Sequence, residues 1–282
     1  MVRKMNGVIV VNKPKGITSR DVVNKLVKVF GTKSIGHIGT LDPMATGVLV
    51  CLIGKYTKLG SIMVNHDKEY IATFKLNVLS DTLDSEGKVL DTADKKISLE
   101  DMQGAIEHFN GLTYMQEVPI YSAVKVNGKK LYDYARSNED VILPKKEVTI
   151  YKLELVSFGD EVKIKCKVSK GTYIRALIRD ICAYLGTYGV MTDLVRTKLG
   201  DYDISDAYSL DEISDGTYKL YSLEDIFDLD VRYINDDNHK QIYNGNIVKD
   251  KNSNYILYKE GDKAVAFYTR INEEELKPLI MF

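Results

Sequence analysis

Two stretches of this chain alternate apolar and polar residues with period two, which restricts them to half-buried β-strands. Over residues 69–78, Tyr70, Ala72, Phe74, Leu76 and Val78 fall on one face. Val162, Ile164, Cys166 and Val168 repeat the pattern, with charged residues between them. Successive side chains of a strand point to opposite faces, so each stretch has one apolar face to bury. Val148–Val156 is a third strand, and Gly159-Asp160 between it and Val162 is a hairpin signal. Other stretches change to helical spacing. Thr18 or Ser19 offers an N-cap ahead of Val22, Val23, Leu26, Val27 and Phe30, and Gly31 offers a stop. Ser98 caps a run carrying Met102, Ala105, Ile106 and Phe109. Ile174, Leu177, Ile178, Ile181 and Leu185 form an apolar stripe, with Arg175 and Arg179 four apart on another. Val8–Val11 and Val48–Ile53 read as short buried strands. Gly36 to Gly47 is rich in Gly, Thr, Asp and Pro and reads as an irregular loop. The acidic residues 201–230 read as a peripheral connection. Beyond them, Tyr255–Tyr258 and Ala264–Thr269, with turns at Asn244-Gly245 and Glu260-Gly261-Asp262, predict a small β-rich domain. The expected division is a mixed α/β body over residues 1–230 and this small domain over 231–282.

The 282 residues exceed one average domain and can bury a sizeable core. The first apolar run, Val8–Val11, is too short for a signal-peptide core. No run approaches the roughly 20 residues of a membrane span, so the expectation is a cytoplasmic protein without membrane attachment. Cys51, Cys166 and Cys182 are far apart and odd in number, which argues for core cysteines over zinc or disulfides.

The formal net charge of −1 conceals segregation. Residues 1–60 hold ten basic residues, Arg3 and Lys4 among them, against Asp21 and Asp42. Residues 163–198 hold eight basic residues and two acids, while 201–230 hold ten acids and only Lys219. Such segregation fits either a polyanion-binding face or solvated faces that differ.

The chemistry concentrates in Gly36-His37-Ile38-Gly39-Thr40-Leu41-Asp42-Pro43-Met44-Ala45-Thr46-Gly47-Val48-Leu49. One acid stands in a basic segment, and Pro43 pushes its backbone toward an extended conformation. Gly39 and Gly47 permit close approach of another chain or a ligand. A carboxylate among cations stays ionised and can serve as nucleophile or base.

This run closely resembles the signature of the TruB-type tRNA pseudouridine-55 synthases, whose catalytic aspartate lies in G-T-L-D-P. Further motifs of that family are matched in order. They are Asn12-Lys13-Pro14 with Gly16 and Ser19, Lys68-Glu69-Tyr70, Pro119 through Ser122-Ala123, Gly128-Lys129-Lys130-Leu131-Tyr132 and Lys170-Gly171-Thr172-Tyr173-Ile174-Arg175. Together they span roughly residues 6–200. The tail from Val231 is similar to the small PUA-type RNA-binding domain that ends many of these enzymes.

The resemblance implies an α+β fold: a catalytic domain on a mixed, largely antiparallel sheet, followed by a small β-rich PUA-like domain. It also implies roles. Asp42 takes the place of the catalytic aspartate. Tyr70 takes that of the tyrosine that stacks on the target base, and Arg175 that of the arginine paired with the aspartate, a pairing that can be bidentate. His37 matches a histidine that helps extract the base. Lys13 and Tyr173 match supporting residues of the substrate site, and Leu194 an apolar pocket residue. The implied reaction breaks the C–N glycosidic bond of uridine, turns the uracil and rejoins it through carbon 5. It needs no redox cofactor, and no metal is expected. Asp42 would attack ribose or base, or take a ribose proton. The partner is tRNA, through its TΨC stem-loop, with no obligate protein partner and the chain acting as a monomer. Two alternatives are a guide-RNA-dependent relative, which normally has longer termini, and an RNA binder with an inactive site.

If the basic residues of 1–60 and 163–198 contact phosphates, log affinity for tRNA falls with log salt by about 0.7–0.9 per phosphate neutralised. Filter binding over a salt series measures the slope, and a slope near zero removes electrostatics from tRNA binding.

Overall fold

The computed structural model describes residues 5–64 and 66–282; Arg3 and Lys4 lie outside the described residues. The first elements among the described residues are strand β1 (Gly7–Lys13), helix α1 (Ser19–Phe30), β2 (Ile35–Ile38) and β3 (Thr46–Ile53). Strand β4 (Lys68–Leu76) leads into a small hairpin of β5 (Val78–Ser80) and β6 (Val89–Thr92). Helix α2 (Leu99–Phe109), β7 (Thr113–Glu117), β8 (Lys145–Ser157), β9 (Val162–Val168), helix α3 (Ile174–Tyr184) and β10 (Gly189–Leu199) follow. The large sheet runs β1-β3-β10-β4-β9-β8-β7, and β2 also pairs with β3. The pairings along this sheet are antiparallel except that of β10 with β3, which is parallel and spans only Val195↔Thr46 and Arg196↔Gly47.

The helices form where local chemistry favours them. Thr18 caps α1 in a reciprocal box with Asp21, and Gly31 ends it at φ 64°, a left-handed conformation that suits glycine. Ser98 and Asp101 form the same box on α2. These three longer helices bury their stripes on one face of the sheet, where Leu26, Ile106 and Leu177 meet Ile9, Phe74 and Ile164. On the other face, Val8, Val10, Val48, Val50 and Leu52 pack against Leu257, Phe267 and Ile280 of a second sheet. Strands β1 and β3 are therefore covered on both sides, which explains why they read as unbroken apolar runs.

The second sheet contains β11 (Asp230–Tyr233), β12 (Val248–Lys249), β13 (Tyr255–Glu260), β14 (Lys263–Arg270) and β15 (Glu275–Met281), in the order β11-β13-β14-β15-β12. The sequence pattern exposed only β13 and β14, because the other three are shorter or less regularly alternating.

Three expectations need correction. Asn77 turns the chain at φ 66°, so Val78 starts β5 and does not extend the face of Tyr70 and Phe74. The segment 36–47 is irregular only over 39–45, since Gly36, His37 and Ile38 belong to β2 on the edge of β3, and Thr46 and Gly47 to β3 itself. Residues 201–230 form more than a connection. They bond the free edge of β1 through Tyr208 and Tyr221 and bury Ile213 and Leu223, closing an edge otherwise open to other chains. Their few apolar anchors were hidden among the acids. Cys51, Cys166 and Cys182 are buried and free. Among the described residues, no helix is long and apolar enough to cross a membrane.

The parallel junction of β3 and β10 depends on Gly47. It sits at φ 98°, and a Cβ there would lie 2.2 Å from the Arg196 carbonyl oxygen. Gly47→Ala should lose at least about 2 kcal/mol of stability through backbone strain and this contact. Chemical denaturation measures it, and an unchanged midpoint would show that the junction relaxes freely.

Candidate active site

Strand β3 has two partners on one side. Strand β2 pairs with it from Ile53 back to Val50, and β10 takes over at Gly47 and Thr46. Between them the sheet forks, and the loop 39–45 leaves β2 at the fork. The buried Arg196 of β10 fills the gap. Its Nε donates to the Val48 carbonyl at 2.7 Å and its Nη2 to the Gly39 carbonyl at 2.8 Å. The fork thus satisfies backbone acceptors that neither strand reaches.

Two more buried side chains hold the loop from below. Ser19, the first residue of α1, donates to the Leu41 carbonyl at 3.0 Å and accepts from the Leu41 N–H at 2.9 Å. Lys13 donates to the carbonyls of Ile17 at 2.6 Å, Pro14 at 2.9 Å and Pro43 at 3.1 Å. Burial lowers the Lys13 ammonium to about 8, with Asp42 opposing the shift. Leu41, Met44 and Ala45 anchor the loop in the core. Asp42 stays at the surface of this turn, 36% exposed, two residues after the exposed Thr40.

Asp42 meets Arg175, in the first turn of α3. Arg175 Nε lies 2.9 Å from Asp42 Oδ2. The other guanidinium nitrogens bond main-chain oxygens. Nη1 donates to the Thr82 carbonyl at 2.7 Å and Nη2 to the Tyr121 carbonyl at 3.1 Å. The Asp84 carboxylate lies 3.8 Å from Nη1. Arg175 is only 6% exposed, so these acceptors replace its water.

Asp42 and Arg175 line a cleft of about 280 Å³ together with Tyr70, Tyr173, Leu194, Lys68, Lys170 and Arg196. Tyr70 is buried on β4, between Cys166 of β9 and Arg196 of β10. Burial raises its hydroxyl above the ordinary tyrosine value, and the Arg196 charge works against the rise. Burial also raises Tyr173, at the N-cap of α3. Leu194 faces inward from β10. Two expected residues do not line the cleft. Lys13 is spent on carbonyls beneath the loop. His37 lies on β2 opposite Cys51, with Nδ1 buried and unpartnered, and is lowered by burial and by Arg20 and Arg196. Among the described residues, no group of three or more His, Cys, Asp or Glu is placed to hold a metal ion.

Sequence reading passed over Arg196, Asp84 and Gln116. Arg196 had a signal, an arginine two positions after Leu194 on an inward alternation. Asp84 had none, since it lies in a turn that approaches the site only in three dimensions. Gln116 of β7 is buried and holds both main-chain groups of Tyr173. Its Oε1 accepts the Tyr173 N–H at 2.8 Å, and its Nε2 donates to the Tyr173 carbonyl at 3.3 Å and the Tyr114 hydroxyl at 2.9 Å. The Tyr114 hydroxyl donates to Asp180 of α3 at 2.8 Å, so β7 grips α3 at both ends of the turns that carry Arg175. Gln116→Leu strands these groups and should cost about 1–3 kcal/mol. Urea unfolding checks it, and parental stability would show that water or neighbours replace the amide.

Known proteins share this architecture. Residues 27–174 match the N-terminal domain of the TruB family pseudouridylate synthases, and residues 175–232 the C-terminal domain of tRNA pseudouridylate synthase B. A tRNA pseudouridine synthase B of Fusobacterium nucleatum is 43% identical over 265 residues, 90% of this chain and 92% of that protein. One from Caldanaerobacter subterraneus is 40% identical over 248 residues, 87% of each. A chain of the crystallised Cbf5-Nop10-Gar1 complex aligns over 98% of this chain and 84% of its own, with a TM-score of 0.67 and 21% identity, a likeness of fold. The fold is accordingly α+β, a largely antiparallel catalytic sheet with a small β-rich C-terminal unit of PUA-like form. By the match to its profile and the identity to these relatives, the chain belongs to the TruB family of pseudouridylate synthases.

Proposed function

We propose that this chain converts uridine 55 in the TΨC loop of tRNA to pseudouridine, with Asp42 as the catalytic residue. The observation that carries the reading is the Asp42 carboxylate, fixed in a cationic cleft 2.9 Å from the buried Arg175 and able to reach solvent. Family membership and the relatives' activity support the reaction.

The reaction is an isomerisation: one C–N bond breaks, one C–C bond forms, and a proton leaves carbon 5 as the glycosidic nitrogen gains one. No electrons are exchanged. A stacked loop uridine must first leave its neighbours, at a cost of a few kcal/mol that stacking on Tyr70 and contact with Leu194 partly offset. Asp42 then acts as nucleophile or base at the sugar or the base. Arg175 holds its carboxylate in one orientation. Tyr173 closes the wall beside Arg175. Lys13 acts on the loop that carries Asp42, and His37 is assigned to extracting the base from the edge of that loop. The second sheet supports dividing the chain into a catalytic unit, 1–230, and an RNA-gripping unit, 231–282. The enzyme works in the cytoplasm as a monomer on the TΨC arm, without an obligate protein partner.

Asp42→Asn keeps size and polarity but removes the charge. Turnover should fall at least about a thousandfold, about 4 kcal/mol in barrier. Melting should move by no more than about 4 °C, because the carboxylate is partly exposed. Tritium release from carbon-5-labelled uridine in tRNA measures turnover, and mass spectrometry locates the product. Activity within tenfold of the parent would sink the assignment.

A further inference from the structure

Lys68 lies in a motif that the roles above leave unused. It opens β4 two residues before Tyr70 and on the same inward face, about 7 Å along the strand. It is 9% exposed and lines the cleft. Its ammonium donates to the carbonyl oxygen of His66 at 2.6 Å. Among the described residues, no carboxylate lies within ion-pair distance of it. The neighbouring charges are mostly of its own sign. Arg196 shares contact with Gly39, where a Cβ would lie 3.3 Å from Arg196 Nη1 and 3.5 Å from Lys68 Cε, and Lys170 lines the same cleft. Burial first, then Arg196 and Lys170, lower the ammonium to about 8, with only Asp67 opposing the two cations.

A buried cation without a paired counter-ion costs free energy that one carbonyl hydrogen bond and the field of Asp67 recover only in part. Asp42, the acid of the cleft wall, is committed to Arg175. The anion is therefore expected from the ligand. Uracil and ribose are neutral, so in an RNA substrate that anion is a backbone phosphate. We propose that Lys68, with Arg196 and Lys170 beside it, forms a phosphate subsite that takes a phosphodiester flanking the target uridine while the base stands at Tyr70. The inference rests on the proposed function for its choice of ligand. The subsite would fix the extruded nucleotide at two points, ring and phosphate, and so set its register in the cleft.

The test is a cycle between protein and RNA charges. Stem-loops of the TΨC arm are made with a single neutral methylphosphonate at each linkage around the target uridine. Binding to the parent enzyme, Lys68→Gln and Lys68→Arg is measured at fixed salt. The parent should lose about tenfold in affinity at one flanking linkage. Lys68→Gln should lose about as much on unmodified RNA, lose nothing more at that linkage, and respond as the parent does elsewhere. Lys68→Arg should recover most of the loss. A parent indifferent to both flanking linkages overturns the proposal without any variant. So does a Lys68→Gln enzyme whose losses add to the parental ones at every linkage, which would mark Lys68 as a tie to His66. Should Lys68→Gln melt far below the parent, Lys68→Met, which keeps the aliphatic stem, replaces it in the same cycle. Conversion of the unmodified stem-loop by the parent, read by tritium release, tests the enzymatic function separately.

Discussion

A single guanidinium decides where four parts of this chain meet. Arg175 is taken out of water, and a buried cation must find acceptors in the protein. It finds them at Asp42, at the carbonyls of Thr82 and Tyr121, and in the field of Asp84. These groups come from the β2–β3 loop, the turn between β5 and β6, and the segment after β7. The last two offer main-chain oxygens, so their backbones are held whatever their side chains are. The turn at 81–87 bends for this, with Leu83 at φ 64°, an unusual conformation for a branched residue. Asp84 bonds Thr82 and the Glu86 N–H and keeps the turn in shape.

Arg196 plays the complementary part inside the sheet. A strand with two successive partners leaves backbone groups unpaired where one ends and the other begins. A long side chain with several fixed donors closes that gap better than an apolar one would. The same guanidinium then stands beside Tyr70 and raises the positive charge of the cleft. One buried arginine orders the fork, while the other gathers the loops around it. Both lie on regular elements, so the site inherits the rigidity of the sheet and of α3.

Much of this was legible in the residues. Alternation gave β4 and β9, and capping residues gave α1 and α2, because those signals are local and physical. The G-T-L-D-P run and its accompanying motifs pointed to the family. What could not be read was convergence. Nothing near Gln116 says that its amide will substitute for a strand partner of Tyr173, and nothing near Asp84 says that it will approach Arg175 from 91 positions earlier. The acidic stretch 201–230 misled because its composition describes solvent-facing residues, whereas its fold is decided by a few buried ones such as Ile213 and Leu223. Asn77 misled for another reason: asparagine tolerates left-handed backbone, and an alternating pattern carries no mark of where a chain turns on it.

The tethers of the loop 39–45 also leave the side chain of Asp42 with little part in holding the loop. Arg196, Ser19 and Lys13 all bind main-chain atoms, at Gly39, Leu41 and Pro43. Leu41, Met44 and Ala45 fill the core. Between these fixed points the path of the backbone is over-determined, and the side chain of Asp42 contributes little to it. The carboxylate contacts Arg175 but remains about one-third exposed, whereas the groups that position it are almost fully buried. A group arranged in this way can change charge or form a bond without pulling the fold with it, because reorganisation falls on one side chain and not on the loop. Catalysis by preorganised electrostatics requires that division, with the positioning energy stored in folding and the reacting group left to face the substrate.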